Sequence, residues 1–124
     1  MIKGEKYADF WIEEGILNFV YKPNTVLDLD GAKAVVRTRL RFQNEISYPI
    51  LCDVRHLKTA SKAAREYLAK NGCLKALAVA IVMENAYSGT LYKAYVNISN
   101  PTVPTKGFNT ISEALGFLNE YKMR

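Results

Sequence analysis

Hydrophobic positions change their period along this chain, and each change marks a new element. Over residues 7–13, Tyr7, Phe10, Trp11 and Ile12 alternate imperfectly with Ala, Asp and Glu. Glu14-Gly15 follows, and then the run Ile16-Leu-Asn-Phe-Val-Tyr21. Two β-prone runs around a glycine turn predict a hairpin, and Pro23, which cannot donate to a ladder, marks its exit. From there the period becomes 3.6. Leu29, Ala32, Val36, Leu40 and Gln43 fall on one stripe, Lys33, Arg37 and Arg41 recur on its flank, and Arg39 lies nearer the apolar side. With Asp28 or Asp30 as the cap, this predicts a helix over about residues 30–44.

The second half alternates strand and helix. Residues 47–54 form a short apolar run that predicts a strand, with Pro49 tolerable only because it stands near the start. A helix is expected over about residues 60–71. Its apolar face is Ala60, Ala63, Ala64, Tyr67 and Leu68; Lys62, Glu66, Ala69 and Lys70 point away, and Gly72 closes it as a C′ glycine. The unbroken apolar run of residues 76–83 reads as a strand buried on both faces. Tyr87, Leu91, Ala94, Tyr95 and Ile98 share a helical face that ends at Asn100-Pro101. Residues 103–109 predict a weak strand, and Thr110-x-x-Glu113 is a capping box opening a last helix with Ile111, Ala114, Leu115 and Leu118 inside. The order β-β-α-β-α-β-α-β-α gives an α/β class: a hairpin followed by alternating units, a mixed five-stranded sheet and about four helices.

Composition adds the scale. At 124 residues with 49% hydrophobic and 23% charged, the chain is expected to be one globular domain over residues 1–124. Its longest apolar run is eight residues, too short for a bilayer span, and the start has no apolar segment like that of a leader; a soluble, cytoplasmic domain is the expectation. Cys52 and Cys73 stand alone and suit a reducing compartment, and with the single histidine, His56, they make no familiar zinc spacing. Charge is uneven. Residues 31–75 hold ten Lys and Arg against three acids, while the whole chain is +5. A basic half suits an anionic partner or a solvated face kept for solubility. Nucleic acid is disfavoured, because few aromatics interleave with these cations and no reading motif is legible.

Chemistry in an open α/β sheet sits where strands end and helices begin. Residues 53–61 qualify best. Ser61, or Thr59, would stand at the mouth of a helix, where a hydroxyl can cap the free N–H groups or carry a phosphate; Arg55, Lys58, Lys62 and Arg65 are close in sequence. Asp53, His56 and Glu84 are the groups for acid–base work, but no nucleophile, third ligand or oxyanion hole accompanies them, and a capping or pairing role for Asp53 with Arg55 is the stronger reading. No glycine-rich phosphate loop occurs, and no metal or cofactor is expected. Gly89 and Gly116 fall inside helical patterns, where close packing is the expected reason. Tyr87, Tyr92 and Tyr95 could wall a pocket over the sheet.

Several segments together resemble a known family: residues 15–29, the run Tyr48-Pro-Ile-Leu-Cys-Asp-Val-Arg55, Ser61-Lys-Ala-Ala-Arg-Glu-Tyr-Leu-Ala69, and Pro104-Thr-Lys-Gly-Phe108 with its closing Glu-Ala-Leu helix. They are similar to small single-domain bacterial STAS-like proteins, related to the anti-sigma-factor antagonists and sharing a fold with CRAL-TRIO lipid-transfer domains. The resemblance runs from about Tyr7 to Lys122. It implies a mixed sheet with packed helices, and regulators that bind proteins and switch on phosphorylation of a hydroxyl at the position of Ser61 or Thr59. The regulators carry Asp-Ser-Ser-Gly there; this chain has Thr59-Ala-Ser-Lys62, without the acid and the glycine.

The expected function is therefore a non-enzymatic interaction module that binds a protein partner or itself through residues 55–61 and the following helix. Edge strands and the hairpin leave a homodimer open. The alternative is a small-molecule or lipid-binding domain, with a pocket between the sheet and the helix of Tyr87–Ile98 and with Lys33, Arg37 and Arg41 meeting an anionic headgroup.

Overall fold

The computed structural model describes residues 6–83 and 101–122. Its elements in order are β1 (Ala8–Glu13), β2 (Ile16–Tyr21), β3 (Thr25–Leu27), α1 (Leu29–Gln43), β4 (Tyr48–Asp53), β5 (Leu57–Ala60), α2 (Lys62–Lys70), β6 (Ala76–Val82), β7 (Thr105–Phe108) and α3 (Ile111–Asn119). The main sheet is five-stranded and mixed, in the order β1-β2-β4-β6-β7. β1 pairs antiparallel with β2, and every later neighbour is parallel. Glu14 and Gly15 turn the hairpin with φ of 50° and 79°, two consecutive left-handed residues of the kind a two-residue hairpin demands. Pro49 is accommodated because the β4–β6 register shifts between Tyr48 and Pro49, so the missing donor falls at an irregularity of the ladder.

The sheet is covered on both sides, which explains the continuous apolar run of β6. Val79 and Ile81 face the large core beneath α1 and α2, with Phe10, Phe19 and Val35. Ala78, Ala80 and Val82 face α3, where Ala114 and Leu118 are buried with Leu51. Alanines on that second face let α3 lie close over the sheet, and Leu118, wholly withdrawn from water, contributes roughly 1.5–3 kcal/mol. On the first face Phe10 and Phe19 stand with centroids 4.7 Å apart, and Tyr21 meets Phe19 edge-on at 4.8 Å.

The structure corrects several expectations. Three helices lie among the described residues instead of about four; the one expected over Tyr87–Ile98, with Tyr92 and Gly89, falls outside them. Two short strands were not anticipated. β3 and β5 pair parallel to each other in a separate two-stranded ladder, so half of the expected loop at residues 55–61 is strand. In α2 the buried residues are Ala64 and Ala69, whereas Ala63 is exposed and Ala60 belongs to β5. Tyr67 and Leu68 of the expected face are half-buried and pack against the core. Ile111, the first residue of α3, is exposed, and the helix buries Ala114 and Leu118 instead.

Gly72 does not adopt a left-handed cap. Its need is spatial, since a Cβ there would lie 2.4 Å from the Leu68 carbonyl oxygen. Gly116 is the reverse case: nothing lies within 4 Å of where its Cβ would be, so close packing does not account for it.

Candidate functional site

The β3–β5 ladder sets the geometry of the helix starts. Leu27 and Ala60 are register partners, and the Ser61 N–H donates to the Leu27 carbonyl at 2.9 Å. The chain leaves β3 into α1 and β5 into α2, so the two helices begin side by side. Asp28 caps α1, accepting from Gly31 N–H at 2.7 Å. Ser61 caps α2, accepting from Ala64 N–H at 3.1 Å, and the first turn of α2 carries no acid. Each cap leaves other N–H groups of its helix end without an intrahelical acceptor, a setting that favours negative charge.

Ser61 is exposed at this junction. Thr59 is not at the helix mouth: it lies in β5, half-buried and paired with Val26, so of the two hydroxyls only Ser61 occupies the predicted place. Lys58 and Lys62 are exposed, with Lys62 3.9 Å from Glu66 in a surface pair worth little. Arg65 is half-buried and donates from Nη1 to the Ala60 carbonyl at 2.7 Å. His56 stands exposed in the turn before β5, and its backbone carbonyl accepts from Asn24. Lys33, Arg37 and Arg41 form an exposed row along α1, apart from the residues around Ser61.

Asp53 ends β4 with its side chain 3% exposed, and Arg55 grips it from Nε and Nη2 at 2.7–3.1 Å while the Arg55 N–H adds a bond at 3.0 Å. This bidentate clamp occupies both carboxylate oxygens and ties the strand end to the turn. The geometry matches a structural Asp53; Glu84 lies outside the described residues. No group of three or more metal-ligating side chains occurs among the described residues.

Two features were not read from the sequence. The first is a polar hub inside the α1–α2 layer. Arg39 is buried, donating to Gln43 Oε1, to the Gly72 carbonyl at 2.8 Å and to the Leu74 carbonyl at 3.1 Å. Gln43 in turn donates to Ile46 and Lys75 carbonyls at 2.9 and 2.8 Å. Its signal was the lean of Arg39 toward the apolar stripe. The second is a cavity of about 110 Å³ between the sheet and α1 and α2. The pocket expected beneath Tyr87–Ile98 lies outside the described residues. Cys52 lines the cavity between the sheet and α1 and α2, and withdrawal from water pushes its thiol up to about 12, with nearby Asp53 adding and Arg39 opposing. Cys73 is buried and donates to the Ala69 carbonyl at 3.2 Å.

A family profile described as a domain of unknown function (DUF7793) matches residues 10–122. Among solved structures the chain is similar to an uncharacterized protein of the DUF3478 family from Shewanella loihica PV-4, described as having a SpoIIAA-like fold. The two share 17% identity at a TM-score of 0.61, over 90% of this chain and 91% of that one. At this identity the likeness carries the fold, which is SpoIIAA-like and hence STAS-like. The CRAL-TRIO part of the sequence resemblance finds no support in either match. No curated protein matches the chain. No helix of the described residues is long and apolar enough to cross a membrane.

Proposed function

The chain belongs to the DUF7793 family and has a SpoIIAA-like fold, and from that premise we propose that it is a non-enzymatic regulatory module which binds a protein partner, or a second copy of itself, at the start of α2. The contact surface is Arg55, His56, Lys58, Ser61, Lys62 and Arg65, and the switch is Ser61. It works in a reducing compartment, the cytoplasm, which its two free thiols suit.

The observation that carries this reading is the position of Ser61: an exposed hydroxyl capping a helix whose first turn lacks an acid, flanked by Lys58 and Lys62. A phosphate transferred there by a separate kinase would bring about two negative charges to free N–H groups and nearby cations. The surface would then change sign locally, which is enough to release or recruit a partner.

The test combines mass spectrometry of protein isolated from its own host with affinity capture by wild-type, Ser61→Ala and Ser61→Asp baits. A mass increment of about 80 Da at Ser61 and a partner whose affinity differs about tenfold or more between Ser61→Asp and Ser61→Ala are expected. A partner held equally by all three baits would remove the switch. Turnover abolished by His56→Ala would replace the module with an enzyme.

A further inference from the structure

The core beneath α1 and α2 is not closed. Its cavity of about 110 Å³ is walled by Phe19, Val36, Val54, Leu57, Val79 and Ile81, and Arg39 and Arg65 are the charged residues of its lining. The space is open on one side, and its apolar lining forgoes the dispersion contacts that a closed core would give it. An apolar cavity of about 150 Å³ takes up benzene, and the present one is smaller but open on one side, so it admits a chain of a few carbons or a small ring that protrudes from its mouth.

The two guanidiniums differ. Arg39 is engaged in the hub, held to Gln43 Oε1 and to the carbonyls of Gly72 and Leu74. Arg65 projects from the first half of α2, half-buried, and its bond is the one from Nη1 to the Ala60 carbonyl. No carboxylate among the described residues forms an ion pair with it. Arg65 and Ala60, whose carbonyl it bonds, both line the cavity, and a half-buried guanidinium with one such bond has further donors whose strongest match is the two oxygens of a carboxylate. Cys52, the titratable thiol in the wall, stays neutral across the physiological range and does not oppose an anion.

We propose that this cavity is a binding site for a small apolar monocarboxylate, its hydrocarbon part between Val36, Val79 and Ile81 and its carboxylate on Arg65. The site is independent of the Ser61 switch. The two readings share Arg65 but not their tests, since binding here needs neither a partner nor a phosphate.

Benzoate and benzyl alcohol serve as the probes, a small ring with and without the charge. Binding is followed by methyl ¹H–¹³C spectra of the purified full chain. Benzoate is expected to shift the methyl signals of Val36, Val79 and Ile81 and to leave those of Val82 and Leu118, across the sheet, in place. In Arg65→Gln, which removes the cation, benzoate should bind about tenfold or more weakly, while benzyl alcohol is unaffected. A filling substitution, Val79→Phe, should abolish both; should that variant not fold, Ala60→Leu takes its place. Absence of shifts at saturating benzoate overturns the proposal. So does equal benzoate affinity in wild type and Arg65→Gln, or uptake of the alcohol with benzoate excluded.

Discussion

Cys52 shows how a single residue can take its chemistry from its surroundings. Its sequence context, an apolar run, pointed to a small buried hydrophobe; in the structure it is half-buried, and its place in the cavity wall pushes its pKa up to about 12. The thiol then stays protonated at pH 8, which slows its alkylation in the folded protein. The same shift has a pH consequence. Above the ordinary thiol value of 9.0 the unfolded chain loses the Cys52 proton while the folded chain keeps it, so unfolding releases a proton and stability falls as pH rises toward 12. Urea unfolding at pH 8 and pH 10 should show a steeper loss in wild type than in Cys52→Ala, the difference isolating this thiol from the lysines and tyrosines. Equal losses would place the thiol in water. Arg39 is the other case where surroundings decide: a cation on a helix normally faces solvent, and here two carbonyls exposed by the turn after α2 and the amide of Gln43 make its burial affordable.

The elements carry their stability in their ends. Asp28, Ser61 and Thr110 each cap a helix through a side-chain oxygen, and each was visible as a short polar residue before a periodic run. Glycines separate by the same local reasoning. At Gly72 a methyl group would strike the Leu68 backbone, so Gly72→Ala should destabilise by about 1–3 kcal/mol. Gly116 lies in α3 with open space around it, so Gly116→Ala should stabilise by roughly 0.5–1 kcal/mol. Thermal or urea denaturation of the two variants measures both. A gain at Gly72 or a loss at Gly116 would mean that these helix ends are misplaced.

Among the described residues, α1 and the start of α2 both carry exposed cations. Lys33, Arg37 and Arg41 form an exposed row along α1, separate from the cations around Ser61. Because the row is exposed, replacing all three with Gln should leave stability within about 0.5 kcal/mol per site. If the partner is anionic, its capture should weaken in that variant and the remaining binding should depend less on salt. Unchanged capture and salt dependence would assign the row to solubility alone. The α3 face carries no comparable row, and its small residues serve close packing instead.

Period, caps and turn residues determined the α/β class, the hairpin, the five-stranded sheet, the double burial of β6 and the place of the Ser61 cap, because each is a local pattern in which neighbouring residues agree. The pairing of β3 with β5 was decided only in three dimensions: three and four residues are too short to show a period, and each becomes a strand through a partner about thirty positions away. The Arg39 hub depends in the same way on carbonyls more than thirty residues distant. The cavity has no sequence signature at all, since a void is what side chains from separate elements fail to fill. Arg65 acquires its place beside it only when α2 is laid against the sheet.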